Sequence, residues 1–451
     1  MELFDAAIIG AGVTGIATAR RLALSGQRVL LLEKGADILS GASKANSALL
    51  HTGFDAPEGS LELACMQAGY AEYLTLRRAM NLPLLETGAM VVAWTAEQQA
   101  ALPDILAAAH RNGVCDSRLL TPTDIAAREP HLAAALAAVL VPGEHVIDPW
   151  SPFHGYALEI LDLHGTILRQ TQVTGGRFDG ARWQIDTSGG RFHARSIVNC
   201  AGLYGDRIDA AFLGRTDFTI KPRKGQFVVF DKAAAALLGS IILPVPDART
   251  KGVVLTPTIF GNLLVGPTAE ETPDRDRPTT TTDALAKLIS RAAEILPALR
   301  DMPVTATYAG LRPATEFKEY RIHHDPARHW VTVGGIRSTG LTASLGIAAH
   351  VAALLSLPAP AAHIPPHMPN LAEHLPRDWQ AADRGDILCH CELVTRREVQ
   401  AALSSALPPG DLGGLKRRTR CAMGRCQGFN CLGAIEEITR GRLPNPIAVP
   451  T

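Results

Sequence analysis

The sequence predicts a mixed α/β chain with a small helical module at its C-terminal end, and three observations predict it. An apolar strand, a glycine-rich turn, a helix and a second strand follow one another at the N-terminus. A long middle stretch, 218–266, alternates apolar and polar residues between many turn residues, the period of a half-buried antiparallel sheet. Past residue 357 the composition shifts to proline, histidine and alanine, and five of the eight cysteines crowd together beyond that shift.

The elements follow in order. Residues 4–9 are a short apolar strand, 14–25 carry apolar residues at helical spacing, Gly26 stops that helix, and 28–32 form the second strand. The polar loop Ser43-Lys44-Ala45-Asn46-Ser47 leads to an apolar segment ending at His51. Leucines and alanines three and four apart predict helices over 62–80 and 96–112. Between Val173 and His193, glycine-rich turns divide alternating runs into hairpins, and a buried strand at 196–199 enters the turn Ala201-Gly202. A helix spans 281–299, and the strand 329–333 turns through Gly334-Gly335 towards a long helix at 341–357. Six prolines from Pro358 to Pro376 mark 358–386 as a linker, and 387–451 is a separate module.

Composition excludes several functions. Lysine plus arginine equals aspartate plus glutamate at 44 each, so no global basic field exists to hold nucleic acid or an anionic bilayer. With 47% hydrophobic residues in 451, the chain can bury the cores of two or three domains. The acidic N-terminus lacks a leader pattern, and the apolar run 345–357 is too short for a membrane span. The chain reads as cytoplasmic, reaching a membrane only through a partner. In a reducing compartment, clustered cysteines bind metal rather than pair as disulfides.

Gly10-Ala-Gly12-Val-Thr-Gly15 joins the first strand to the first helix, and Glu33 closes the second strand. The glycines make the tight turn, admit a pyrophosphate and pack helix on strand, while Glu33 accepts ribose hydroxyls and repels a 2′-phosphate. This pattern alone does not separate FAD from NAD. The segments 198–202 and 331–340 both run from strand into small-residue turns, placing Ala201, Gly202, Gly335 and Gly340 along a long flat cofactor, which favours FAD. At the far end, Cys389-His-Cys391 precedes a helix that Thr395 and Glu398 can cap. The basic run Lys416-Arg417-Arg418-Thr419-Arg420 and then Cys421, Cys426 and Cys431 follow. Thiolates on glycine-containing loops suit either zinc or an iron–sulfur cluster. The basic residues, with Arg425, would balance such a cluster and offer a patch to an acidic partner.

Gly10 to Glu33, the loop 43–47 leading to His51-Thr52-Gly53, the segment 198–202, and Ala309-Gly310-Leu311-Arg312-Pro313 together resemble the D-amino-acid-oxidase-type flavoproteins. The most similar branch holds FAD-dependent glycerol-3-phosphate dehydrogenases and L-2-hydroxyglutarate dehydrogenases or oxidases. The resemblance implies a Rossmann-like FAD-binding domain (1–85, 145–215 and 305–357) interleaved with an α+β, antiparallel-sheet substrate domain (86–144 and 216–304). It implies FAD contacts from Gly10, Gly12, Gly15, Glu33, Lys34, Ser43, Asn46, Ser47, Ala201, Gly202, Gly335, Gly340, Leu341 and Thr342. It also implies oxidation of a small anionic secondary alcohol, or an amine, by hydride transfer to flavin. Arg312 matches the substrate-anion arginine, His51 a base or flavin contact, and Tyr308, Arg223, Lys224 and Arg337 line the same cleft. His323 and His324 are adjacent on a strand, face opposite ways, and form no metal pair. One departure matters: Phe54-Asp55 stands where the glycerol-phosphate enzymes place an arginine, so 2-hydroxy acids and opine-like amines remain beside glycerol 3-phosphate as substrates.

The C-terminal segment resembles the bacterioferritin-associated-ferredoxin type of [2Fe-2S] module, implying Cys389, Cys391, Cys426 and Cys431 as ligands. Cys421 is a fifth thiol, and Ala422 stands where the pattern has glycine. The combined resemblance implies a dehydrogenase that passes electrons through a [2Fe-2S] cluster to an electron-accepting protein subunit in a hetero-oligomer. The alternative is an electron-relay subunit without catalysis of its own.

Overall fold

The computed structural model describes residues 2–246 and 252–447. The expected antiparallel stretch 218–266 and the module 387–451 each extend over residues outside those ranges.

Strand Leu3–Ile9 lies parallel to Val29–Leu32 on one side and to Gly190–Asn199 on the other, with helix Val13–Leu24 crossing between the first two. Every residue of Val29–Leu32 is buried, which is why these central strands are apolar throughout rather than alternating. Thr166–Leu168 extends the sheet beyond Val29–Leu32, and Trp330–Gly334 joins in parallel beside the end of Gly190–Asn199. The first half of Gly190–Asn199 instead pairs antiparallel with Trp183–Thr187, which pairs with Val173–Phe178. With Arg321–Asp325 the sheet has eight strands. Its parallel strands end at Ile9, Leu32, Asn199 and Gly334 on one edge, where open α/β sheets bind ligands.

A second sheet has nine strands. Arg223–Phe230 pairs antiparallel with Leu263–Gly266, Glu270–Glu271 and Val304–Arg312. Helix Thr282–Ile295 covers one face, packing Leu288, Ala292 and Ile295 against Val228, Phe230 and Val265. Two features depart from expectation. Ile241–Pro244 runs parallel to Ala89–Ala93, because strands so distant in sequence carry no hairpin to impose an antiparallel direction. Val304–Arg312 also belongs to this sheet, although 305–357 was expected whole in the dinucleotide-binding region. Its pairing is reinforced by Tyr308 stacked on Phe227 at 4.7 Å.

The C-terminal module has a small core around Val399, Leu415 and Ile435. Its first helix, Arg396–Leu403, begins in the expected capping box: Thr395 accepts from the Glu398 N–H, and Glu398 accepts from the Thr395 N–H at 2.7 Å. The expected linker is not a loose tether. Leu371 and Ala372 are buried in the main core, and the Ala361 N–H donates to the Leu24 carbonyl. The basic run is also turned inward rather than presented as a docking patch. Arg418 donates to both oxygens of the fully buried Asp37, at 2.5 and 3.1 Å, and Arg417 donates to the Ile38 carbonyl. Arg420 donates to Glu392 and lies 3.9 Å over the Phe260 ring. A carboxylate buried on the main body needs a cationic partner, and the module supplies it. Arg425 is largely exposed, and even it pairs with Asp231 at 2.7 Å.

Candidate active site

At the sheet edge lies a cavity of about 300 Å³ lined by Gly10, Gly12, Glu33, Lys34, Ser43, Ala201, Gly202, Gly335 and Gly340. Gly10 adopts φ of +102°, and a Cβ there would stand 2.6 Å from the Cys200 carbonyl oxygen. Gly15 is not in the lining. A Cβ on it would meet the Gly10 carbonyl at 1.9 Å, so glycine is what lets the helix close on the turn and aim its N-terminus into the cavity. That terminus has no side-chain cap and no acidic residue in its first turn, which keeps it receptive to an anion. Glu33 accepts the N–H groups of Ala11 (2.8 Å) and Gly35 (2.7 Å). Burial pushes its carboxyl up against the lowering effect of those two bonds. Each carboxylate oxygen keeps a second lone pair for a ribose hydroxyl. The cradle therefore fits the adenine dinucleotide end of FAD.

Other expected contacts sit behind the wall. Asn46 shapes the loop by donating to the Ser43 carbonyl and accepting from the Ala48 N–H. Thr342 accepts the His51 N–H at 3.0 Å and donates to the Leu49 carbonyl. Leu341 packs against the main core, and Ser47 is half-buried. On the rim, the expected Lys34 lies 3.6 Å over the ring of Tyr204, a residue that carried no sequence signal; nor did Asp276, which accepts the Tyr204 hydroxyl at 2.6 Å, or Arg275, which grips Asp206 with both terminal nitrogens. They come from separate stretches that only the two-sheet packing brings together.

The catalytic candidates His51 and Arg312 lie outside that lining. Leu49–Leu50 pairs antiparallel with His145–Ile147, and this brings Glu144 against His51. Glu144 is 0% exposed; its Oε2 is 2.7 Å from His51 Nδ1, and its Oε1 accepts the Thr52 N–H (2.6 Å) and hydroxyl (2.7 Å). With Glu144 ionised, Nδ1 carries the proton and Nε2 is the lone-pair nitrogen. Sequence reading missed Glu144, since nothing marks its pairing with a residue so far upstream.

Arg312 ends strand Val304–Arg312 directly opposite Arg223. Burial, and then the neighbouring Arg223, hold its guanidinium down to about 10. Among the described residues its hydrogen-bond partners are carbonyl oxygens, that of Thr268 at 2.6 Å being the shortest. Lys224, in contrast, is paired with Glu270 at 3.1 Å. A half-buried guanidinium without a carboxylate is matched to a bidentate anion. Tyr308 donates its hydroxyl to the Asn46 carbonyl at 2.8 Å, and burial raises it well above the usual phenol range. It ties the second sheet to the cofactor loop, and Arg337 is half-buried nearby in sequence to Gly335. Phe54 is buried with Val91 and Val141, and Asp55 is exposed.

Among the described residues, no group of three or more His, Cys, Asp or Glu side chains is placed to hold a metal ion. Four of the C-terminal thiols lie near one another instead, Cys391 beside Cys426 and Cys389, and Cys431 beside Cys389. Backbone N–H groups of Asn430, Gly428 and Phe429 point at Cys426 and lower it, and burial pushes Cys431 up to about 12 against the Ala422 N–H. Cys421, fully buried in the module core and hydrogen-bonded to Thr419, lies near Cys389 and Cys431 as well.

The dinucleotide cradle at the edge of a parallel sheet, beside a second, largely antiparallel sheet, is the arrangement of a flavin-dependent oxidoreductase. The family model "DAO: FAD dependent oxidoreductase" matches residues 5–354, and the chain belongs to that family. It is 30% identical over 450 residues to a glycerol 3-phosphate dehydrogenase of Caloramator mitchellensis, covering 97% of this chain and 94% of that protein. It is 30% identical to a glycerol 3-phosphate oxidase of Mycoplasma pneumoniae, covering 79% of this chain and 95% of that one. An L-2-hydroxyglutarate dehydrogenase of Indibacter alkaliphilus is also 30% identical, over 59% of this chain and 68% of its own length. Among solved structures, the FAD-bound L-alpha-glycerophosphate oxidase from Mycoplasma pneumoniae superposes with a TM-score of 0.75 at 26% identity, covering 82% of this chain and 97% of that one. No helix among the described residues is long and apolar enough to cross a membrane.

Proposed function

We propose that this oxidoreductase is a dehydrogenase for a small anionic secondary alcohol, glycerol 3-phosphate or a 2-hydroxy acid, and that it delivers electrons through a [2Fe-2S] cluster to a partner subunit. The observation that carries the reading is the histidine held at Nδ1 by a buried carboxylate, His51 on Glu144, and it is supported by Arg312, a half-buried cation with only carbonyl partners among the described residues. Arg312 clamps the substrate's anionic end. His51 Nε2 takes the hydroxyl proton, while Glu144 keeps the ring oriented and stabilises its charged form. Bound FAD supplies the hydride acceptor. The relatives named for glycerol 3-phosphate and L-2-hydroxyglutarate support this substrate class.

The grouping of Cys389, Cys391, Cys426 and Cys431 supports the cluster, since a two-iron centre takes two thiolates at each iron. Backbone N–H groups aimed at Cys426 and Cys431 are the donors that such sulfurs accept. Cys389, Cys391, Cys426 and Cys431 would hold it, and it would supply single-electron transfer. The match to the Caloramator protein covers 97% of this chain and so continues well past residue 354, where the family model ends. Phe429, 90% exposed between Cys426 and Cys431, gives an electron-accepting partner an apolar foothold beside the cluster.

An opine-like secondary amine is the second reading, favoured by Asp55 where a phosphate-binding arginine would stand. The test is an anaerobic screen of glycerol 3-phosphate, 2-hydroxy acids and opines that follows flavin and cluster absorbance together, with iron assay. Flavin bleaching by one class names the substrate, and about two irons per chain identify the cluster. No bleaching by any of them overturns the dehydrogenase reading in favour of an electron relay. Zinc in place of iron overturns the electron route.

A further inference from the structure

A segment that leaves the second sheet meets two residues spanning the dinucleotide cavity. Lys34 follows Glu33 at the end of strand Val29–Leu32, and Tyr204 follows the turn Ala201-Gly202 at the end of Gly190–Asn199. Strand Leu3–Ile9, with its Gly10 turn, lies between those two in the sheet. The contact of the Lys34 ammonium with the Tyr204 ring, 3.6 Å to its centroid, therefore reaches from one side of the cavity to the other. Asp276 joins both partners: Oδ2 accepts the Tyr204 hydroxyl at 2.6 Å, and Oδ1 accepts from the Lys34 ammonium at 3.4 Å. Lys34, Tyr204, Arg275 and Asp276 all line the cavity.

The segment carrying Asp276 lies between strand Glu270–Glu271 and helix Thr282–Ile295. Asp274 accepts the N–H groups of Asp276 (2.8 Å) and Arg277 (3.0 Å), which folds its tip into a turn. Arg275 anchors that turn beside Tyr204. It donates to the Leu203 carbonyl at 2.8 Å, to the Ile220 carbonyl at 3.2 Å, and to both oxygens of Asp206. This bidentate pair is largely buried, so the anchor is firm. The Lys34 and Asp276 side chains are 48% and 62% exposed, and a pair so exposed is weak. Burial, and then the Asp276 hydrogen bond, push the Tyr204 phenol up to about 12, so it keeps its proton and donates at neutral pH. A firm anchor that holds a weak latch across a groove is the build of a gate.

We propose that Lys34, Tyr204 and Asp276 form a clasp across the dinucleotide groove, carried on the strap 272–278, and that FAD enters and leaves only when the clasp parts. Both oxygens of Asp276 are engaged within the clasp, so this residue acts on the passage of FAD rather than by holding it. It slows entry and exit alike and leaves the affinity nearly unchanged. The second sheet, which supplies Arg312, in this way also governs how long the cofactor is retained.

The test follows bound FAD on the purified full-length holoprotein. Exchange against excess radiolabelled FAD gives the dissociation rate constant, and the fraction of flavin still bound after serial dilution gives Kd. Their quotient is the association rate constant. Asp276→Ala is expected to exchange FAD roughly tenfold faster, the scale of one charge-assisted hydrogen bond, with Kd changed less than about threefold. Tyr204→Phe keeps the ring under Lys34 but drops the hydroxyl, and it is expected to accelerate exchange in the same way. Circular dichroism checks the fold of each variant, and Tyr204→Phe stands as the test if Asp276→Ala does not fold. Unchanged exchange in either folded variant would overturn the clasp. So would faster exchange with Kd raised in the same proportion, because that is the mark of a residue that merely holds FAD.

Discussion

Arg312 and His51 divide the labour of the proposed reaction, and single substitutions separate them. Arg312→Gln removes charge-assisted hydrogen bonds worth roughly 1.5–3 kcal/mol, so KM for the anionic substrate should rise about 10- to 100-fold with a smaller change in kcat. Steady-state kinetics check this, and an unchanged KM would remove Arg312 from the substrate clamp. His51→Asn should lower kcat by about 10²- to 10⁴-fold while FAD stays bound. Glu144→Gln keeps the hydrogen bonding shape but loses the carboxylate; its cost should reach about 100-fold at most, because it acts by holding the imidazole. Stopped-flow measurement of flavin reduction distinguishes the three variants from defects later in the electron route. At this scale the sequence was informative where a residue stood inside a local pattern. Gly10 and Glu33 were legible that way. Glu144 and the Tyr204–Asp276 rim were not, because their partners are set by strand pairing and sheet packing.

Elements position these residues through close contacts. Helix Leu61–Ala79 crosses helix Gly340–Leu354 where Gly69 sits; a Cβ there would lie 2.0 Å from the Thr342 carbonyl oxygen. Thr342 in turn accepts the His51 N–H. Gly69→Leu should therefore cost about 1–3 kcal/mol by overpacking and lower kcat through the displaced histidine loop. Thermal unfolding and kcat measured on the same sample test the coupling, since a stability loss with kcat intact would break it. Helix and strand positions were legible from periodicity: 96–112 was expected and Ala96–Arg111 is observed, as was a helix at 341–357 where Gly340–Leu354 stands. The sheet to which Val304–Arg312 belongs was not, since alternation reports a half-buried strand without naming its neighbour.

Across the whole molecule, Asp37 is the joint that fastens the module. Burial pushes its carboxyl up, but Arg418, Arg417 and Arg169 outweigh that and hold it below the ordinary aspartate value of 3.8. A depressed folded value means that the stabilisation is present above the unfolded value and is lost as pH falls through the folded one. Docking should therefore be indifferent to pH from neutrality down to about 4 and fail only in stronger acid. Asp37→Asn should destabilise by about 3–5 kcal/mol, leaving buried arginines uncompensated. Calorimetry of the variant at neutral pH checks the magnitude, and a change under about 1 kcal/mol would refute the role assigned to this buried pair. The proposed cluster predicts that Cys391→Ser removes iron and its absorbance while leaving FAD content and flavin reduction by substrate intact, and that Cys421→Ala leaves iron in place.

The sequence by itself determined the parts whose signals are local: the strand–glycine–helix cradle, the terminal Glu33, the capping box at Thr395 and the cysteine spacing. Each is written within a few residues, where backbone geometry and hydrogen-bonding reach are short. Only the tertiary structure decided that Arg417 and Arg418 of the basic run face inward on Asp37 and Arg420 on Glu392, that the proline-rich stretch is packed into the body, and that Glu144 stands behind His51. Charge counted along a chain cannot say whether it meets solvent or a buried carboxylate. That is settled by which surfaces the fold presses together, because desolvation makes an unpaired buried charge too costly to leave.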